Sequence, residues 1–310
     1  MGGNQSWFPE FILVGFQISE ETEVLLFYIF SLLYLSNLLA NGMILALIWL
    51  DPNLHTPMYF FLSHLAIIDI AYASSNLPKF LQNLVMHKKT IPYVSCAMEM
   101  ILYLALASTE CMILLAMSYD RYVAICHPLQ YTLIMSWRKC TVLAIISWLC
   151  GFSVALGNLL FFLRFQFCGS LHVNHFYCEI LAVLKLVCGD TWMNKTYVLT
   201  GGVFILIGPL FLMLVSYMHI LWAILKIQSK EGRKKAFYTC SSHLCVVGFY
   251  FGIAMMFYLV PDSGQQDEQK KILSLFYDLF NPLLNPLVYS LRNAQVKAAF
   301  KKVIQRQRTI

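Results

Sequence analysis

Asp120 and Arg121 stand side by side at the end of a long apolar run. A lone guanidinium is expensive there, and the adjacent carboxylate can offset it, so the pair reads as a lock at one helix end. A lock that can open is a switch. Four more polar residues, Asn41, Asp69, Glu110 and Asn285, fall inside apolar stretches. Intramembrane carboxylates are rare and usually face a bundle interior, so Asp69 and Glu110 invite a cation or a shared proton. A hydrogen-bond network with no ion is the competing reading. Nowhere do a nucleophile, a base and oxyanion donors accompany these residues, and there is no Gly-rich phosphate loop, so an enzyme is not expected.

The elements that position these residues follow from length and composition. Cys96 lies 25 residues before Arg121, roughly 37 Å of α-helix, enough to cross a hydrocarbon core of about 30 Å. The two residues should therefore lie at opposite faces of a membrane. The chain of 310 residues is 59% hydrophobic and 12% charged, with a mean hydropathy of +0.65. That charged share is half the roughly 25% of a soluble domain, which places the chain in lipid. A net charge of +6 raises nucleic acid as a partner, but no basic stripe alternates with exposed aromatics, so none is expected. Ten cysteines at irregular spacing do not describe a small disulfide scaffold.

Apolar stretches at about 24–50, 57–86, 93–126, 140–163, 195–225, 237–260 and 272–291 are each long enough to cross as a helix. The fold class is an all-α membrane protein, a seven-transmembrane helix bundle with a short amphipathic C-terminal helix. Residues 1–23 form an outer N-terminus, 24–291 the bundle, and 292–310 an inner helix and tail. With the N-terminus outside, 14 of the 22 basic residues fall on inner segments, as the positive-inside rule requires. The first 23 residues carry no basic n-region or small-residue cleavage site, so the first span is expected to act as its own insertion signal. Asn4-Gln5-Ser6 and Asn194-Lys195-Thr196 are glycosylation sequons on the outer side, the second close to the membrane. After Arg292, the residues Val296, Ala299, Phe300, Val303 and Ile304 make one apolar stripe flanked by lysines, suited to lie on membrane lipid. No internal repeat relates the two halves, which counts against a transporter or channel, the second class that the buried carboxylates suggest.

Four stretches carry a resemblance. Met117-Ser118-Tyr119-Asp120-Arg121-Tyr122-Val123-Ala124-Ile125-Cys126-His127-Pro128 continues into Leu129-Gln130-Tyr131-Thr132. The others are Pro57-Met58-Tyr59-Phe60-Phe61-Leu62-Ser63 through Asp69, Lys235-Ala236-Phe237 through His243, and Asn285-Pro286-Leu287-Val288-Tyr289 through Asn293. In this order they resemble the signatures of olfactory receptors within the rhodopsin-like G-protein-coupled receptors, of the tetrapod-type group and similar to its family 2 members. The resemblance implies a plasma-membrane receptor, N-terminus outside, that binds a small volatile odorant. It would activate a stimulatory olfactory-type G protein and raise cAMP. A receptor-like protein that reaches the surface without signalling is a further alternative.

The resemblance also implies site residues. Disulfides would join Cys96 to Cys178 and Cys168 to Cys188. A metal reading of His172-x-x-His175-x-x-Cys178 competes, since those ligand types lie close together. Cys111, Cys126, Cys140, Cys150, Cys240 and Cys245 read as small apolar residues. Asp69 and Glu110 would be ligands for sodium or a proton, and no other cofactor is implied. Asp120, Arg121, Tyr122, Tyr217, His243, Asn285, Pro286 and Tyr289 would form the activation switch, with His243 standing in for the acid that many other receptors place on helix six. The odorant pocket would draw on Tyr103, Leu104, Ala107, Ser108, Val198, Gly202, Ile205, Ala254, Met255, Tyr258 and Asp278. Two residues depart from the family pattern. Phe251 replaces a tyrosine near the pocket floor, and Asp278 replaces a small neutral residue. Asp278 is expected to face the cavity and favour a protonated amine or a strong donor; a neutral Asp278 bonded to the bundle is the alternative.

Overall fold

A computed structural model describes residues 10–16, 18–86, 89–168, 170–189, 191–259, 267–292 and 294–307. Among these residues the long helices are α1 (Glu20–Leu50), α2 (Pro57–Val85), α3 (Tyr93–Cys126), α5 (Trp137–Phe162), α7 (Trp192–Leu225), α8 (Lys230–Leu259) and α9 (Asp267–Arg292). Short helices α4 (Tyr131–Ile134) and α6 (Ile180–Leu184) lie in connections, and α10 (Ala294–Gln307) ends the chain. The chain is thus a seven-helix, multi-pass membrane protein. Six of the seven long helices are both long and apolar enough to cross a membrane. The other, α9, has the length but turns Lys271, Ser274, Asp278, Asn281 and Asn285 toward the interior, which lowers its mean hydropathy. Where helices begin before their apolar stretch, as α8 does at Lys230, the extra turns are polar and project past the hydrocarbon.

Local signals fix the ends. Ser19 caps α1, accepting from the Thr22 N–H at 3.4 Å, and Glu20, Glu21 and Glu23 fill the first turn where the helix dipole favours acids. Leu32, Leu35 and Leu39 on α1 and Phe204, Phe211 and Met218 on α7 are exposed, as residues facing lipid should be. The centre is α3, which packs against α2, α5, α7 and α8. It meets α5 at Gly151, where a Cβ would stand 2.5 Å from the Ala105 carbonyl oxygen and would collide with Thr109 Oγ1. Small residues at such crossings let membrane helices touch.

From Glu10 on, the described part of the amino-terminal lead forms a strand and a turn that its polar composition does not suggest. β1 (Glu10–Leu13) is the middle strand of a small sheet, antiparallel to β2 (Thr90–Pro92) and parallel to β3 (His172–Val173). Phe11 and Leu13 are buried while Glu10 is exposed, so the strand alternates, and Phe11 packs its ring 5.1 Å from Phe167. Gly15 turns the chain with φ at +61°. Its carbonyl accepts from the buried Lys271 Nζ at 2.9 Å, and Lys271 also pairs with Glu268 at 2.7 Å. At the other end, α10 buries Val296 and Ala299 against the bundle, and Tyr59 donates to Gln295 Oε1 at 2.9 Å. Part of the apolar stripe expected on lipid is therefore used for packing against protein, leaving Phe300 exposed.

Candidate ligand cavity and polar core

Two disulfides, Cys96–Cys178 and Cys168–Cys188, organise the sheet end of the bundle. The first pins the loop after β3 onto the end of α3, where Glu99 Oε2 accepts from the Cys178 N–H at 3.0 Å. The Cys178 sulfur is thus bonded to Cys96, His172 is exposed on β3, and no metal-binding cluster occurs among the described residues. The loop then caps α6 with Glu179, which accepts from Ala182 N–H at 2.6 Å. Burial pushes the Glu179 carboxyl up, against the N–H groups of Leu181 and Ala182 and the charges of Lys270 and Lys185. His175 is held below the sheet with its ring 4.3 Å from Tyr177. Burial, with the Lys271 charge second, pushes its imidazole down to about 3.

Under this roof lies a cavity of about 330 Å³. Cys178, Glu179, Ile180 and Leu181 form its lid, and α3, α5, α7, α8 and α9 its walls. Tyr103, Leu104, Ala107, Ser108, Val198, Gly202, Ile205 and Ala254 all line it. Its size and apolar, aromatic lining suit a small organic ligand.

Two residues expected in the pocket, Met255 and Asp278, stand apart from this lining. Met255 does not line the cavity, and the Tyr258 side chain lies outside what is described. Asp278 is turned away, 2% exposed between α9 and α2, and its Oδ1 accepts from Tyr72 OH at 3.0 Å. The expectation that Asp278 faces the cavity is corrected: its place on α9 aims it at α2, and the bond to the bundle is the arrangement given as the alternative. Phe251 is likewise buried away from the lining, and Tyr250 brings a hydroxyl to the wall, donating to the Ala107 carbonyl at 2.7 Å. Sequence reasoning missed Tyr177, Tyr250 and Tyr277. Tyr177 precedes a loop cysteine bonded to the third helix, so it had to hang over the bundle mouth. Tyr250 stands four residues, one helical turn, before Ala254.

Beneath the cavity the buried polar residues meet. Asn285 Nδ2 donates to both oxygens of Asp69, at 3.1 and 2.9 Å, and reaches Glu110 Oε1 at 3.5 Å. Asn281 donates to Glu110 at 2.8 Å, and Asn41 to the Pro282 carbonyl at 3.0 Å. Asn37, four residues before Asn41, joins through the Asp69 carbonyl. Pro282 and Pro286 interrupt the α9 ladder in this region. The Asn285 and Asn281 side-chain oxygens lack donors among the described residues. Two carboxylates and two amide oxygens are thus gathered in one buried network, in which amide nitrogens of Asn285 and Asn281 answer the carboxylates.

At the far end, the paired lock is not closed. Among the described residues no ion pair joins Asp120 to Arg121; Asp120 instead accepts from Tyr131 OH at 2.7 Å. The physical reason is proximity: α4 places a phenol beside the buried carboxylate, and burial and Asp120 together push the Tyr131 hydroxyl pKa up. Arg121 Nη2 is buried without a hydrogen-bond partner among the described residues. Tyr122 meets His127 Nε2 at 3.3 Å. His243 does not take up an acid's role toward Arg121 here; its Nδ1 meets Tyr217 OH at 2.6 Å, joining α8 to α7. Pro286 is buried beside Asn285. The side chain of Tyr289 and the whole of Asn4 lie outside the described residues, and Asn194 sits half-buried in the first turn of α7.

A seven-helix membrane bundle with a small-ligand cavity under a disulfide-pinned roof and a polar core below has the architecture of a membrane receptor. A family model described as olfactory receptor matches residues 30–307. The chain is 61% identical to Olfactory receptor 2A5 of Homo sapiens, covering all of both chains. It is also 61% identical to Olfactory receptor 2A2 of Homo sapiens, over all of this chain and 98% of that one. To Olfactory receptor 2A7 of Mus musculus it is 55% identical, again over the full length of both. The chain belongs to the olfactory receptor family, a receptor family and not an enzyme family.

Proposed function

We propose that this receptor binds a small volatile odorant in the cavity beneath α6 and, on binding, activates a stimulatory olfactory-type G protein that raises cAMP. The observation that carries this reading is the cavity itself, about 330 Å³, walled largely by apolar and aromatic residues of five helices. Ligand energy goes into differential affinity for two bundle arrangements, with Arg121, Tyr122, Tyr217, His243, Pro286 and Tyr289 as the switch at the far end. Membrane orientation follows from two chemical arguments. Disulfides persist in an oxidising compartment, and basic residues such as Arg138, Lys139 and Lys301 gather at the opposite end, as on a cytoplasmic face.

The protein is accordingly a plasma-membrane receptor with residues 1–23 outside, including a glycosylated Asn4, and 292–310 inside. There the exposed Phe300, Lys297 and Lys301 of α10 meet lipid. Asp69 and Glu110, with the Asn285 side-chain oxygen, hold sodium or share a proton.

The test is a cAMP reporter in cells expressing the full chain against a panel of volatiles. Leu104→Trp fills the cavity and should abolish responses while surface expression persists; Arg121→Ala should silence cAMP while odorant still stabilises the purified receptor. Responses intact in either variant would overturn the assignment.

A further inference from the structure

Three hydroxyls on the cavity wall have given their protons to the backbone. Thr200 Oγ1 donates to the Thr196 carbonyl at 2.6 Å, Ser274 Oγ to the Lys270 carbonyl at 2.9 Å, and Tyr250 OH to the Ala107 carbonyl at 2.7 Å. What each has left to offer a ligand is a lone pair. Asn158 of α5, on the same wall, carries this furthest. Its Nδ2 donates to the Val154 carbonyl, one turn back, at 2.9 Å. Because a carbonyl can only accept, the nitrogen is the atom held there and the oxygen is the one left over. That Oδ1 has no hydrogen-bond partner among the described residues, on a side chain 8% exposed. A buried amide oxygen without a donor is uncommon.

The same part of the wall is where the cavity reaches the outside of the bundle. Tyr197, Thr200 and Phe204 of α7 line the cavity at i, i+3 and i+7, which is one side of a helix, and all three are exposed, Phe204 at 78%. Tyr197 sets its ring 4.6 Å from Phe161 of α5, and its hydroxyl lies where a Cβ on Gly157 would stand. This stripe therefore follows the seam between α5 and α7, and Asn158, next to Gly157, belongs to it. A molecule in the cavity, or entering along the seam, passes the amide.

We propose that Asn158 is the specificity-determining acceptor of this receptor: its Oδ1 takes the O–H of a hydroxyl-bearing odorant, an alcohol or a phenol, and discriminates against the ketone or ether of the same skeleton. A ketone or an ether brings only lone pairs, which this wall already has in excess. An ionised carboxylate brings no donor either and adds a charge to an apolar site. Ser108, also in the lining, does not make the choice, since a serine hydroxyl can donate to a ketone or accept from an alcohol. The assignment rests on reading the cavity as the odorant site.

The experiment follows thermal unfolding of the purified full-length receptor in lipid nanodiscs. 2-Heptanol is titrated against 2-heptanone, and 4-ethylphenol against 4-ethylanisole, each corrected for partition into the same nanodiscs. One neutral hydrogen bond gained predicts that each hydroxyl compound binds about 2- to 10-fold tighter than its partner. Asn158→Leu, which nearly keeps the side-chain volume, and Asn158→Ala should both bring that ratio to about one by weakening the hydroxyl compounds alone. Equal binding within both pairs in the unmodified receptor, a comparison that needs no variant to fold, would sink the assignment, as would an Asn158→Leu that weakens both members of a pair alike. If none of the four compounds stabilises the receptor, the cavity reading falls with it; if the ketone and ether bind as well as the hydroxyl compounds, only the role of Asn158 falls.

Discussion

Replacing Gly151 by alanine adds a single methyl group where α5 crosses α3. The new carbon would sit 2.5 Å from the Ala105 carbonyl oxygen and 3.0 Å from the Thr109 nitrogen, and would collide with Thr109 Oγ1. Ordinary contact begins at 3.4 Å, so α3 and α5 must part by about 1 Å or bend, an overpacking cost of roughly 1–3 kcal/mol. Thr109 must also give up its position, in which Oγ1 donates to the Ala105 carbonyl at 2.7 Å, at about 1 kcal/mol more. The sum is on the order of 3 kcal/mol, or a fall in melting temperature on the order of 5 °C. The assay is thermal unfolding of the purified receptor, with Thr109→Ala and the double variant completing a cycle. The double variant removes the hydroxyl collision but not the backbone one, so it should recover only part of the loss. Melting of Gly151→Ala within a degree of the parent, or full recovery in the double variant, would refute a backbone-limited crossing.

Two further outcomes are expected. His175 binds its proton near pH 6.5 when unfolded and only near pH 3 when folded. The unfolded chain therefore takes up the proton first as pH falls, and the stabilising contribution present above 6.5 is lost progressively toward 3, on the order of 1 kcal/mol by pH 5.5. The melting-temperature difference between the receptor and His175→Phe should narrow between pH 7.5 and 5.5; an unchanged difference would remove His175 as its source. If Asp69 and Glu110 hold sodium, odorant response should depend on sodium in the receptor and lose that dependence in Asp69→Asn. Equal response with sodium replaced by choline, before and after the change, leaves a hydrogen-bond network only.

The seven spans were legible because lipid leaves a helix few alternatives, and the stretches 57–86 and 93–126 differ from α2 and α3 by a residue at most. The cavity's α3 and α7 walls were legible for a related reason, since Leu104 and Ser108 share one face at a spacing of four. The strand at Glu10–Leu13 was not read, although Phe11 and Leu13 alternate, because four residues next to a polar lead give too short a pattern. Asp278 was misdirected because residue type suggests a chemistry but not an azimuth: Tyr277 faces the cavity, while the next residue, about 100° further round the helix, faces α2. Asp120 and Arg121 illustrate the same limit. Adjacent residues point apart on a helix, and a tyrosine eleven positions away reached the carboxylate instead.

The demands on α3 explain why its middle, Ala105–Glu110, sets small, polar and acidic residues around a single large apolar one, Leu106. Because α2, α5, α7 and α8 surround it, a buried polar group at mid-depth is costly unless another group answers it. Thr109 turns back on its own carbonyl at Ala105, which keeps the side chain short enough to sit against Gly151. Glu110, on the opposite side, is answered by Asn281 of α9. Ala107 leaves its carbonyl to Tyr250 of α8 at the cavity wall. Ser108 lines the cavity beside Ala107 and brings a hydroxyl to that wall. A larger residue at Ala105 or Ala107 would separate α3 from its neighbours, and an apolar one at Glu110 would strand the Asn281 amide. The same stretch therefore packs α3 against its neighbours and sets one hydroxyl at the cavity wall.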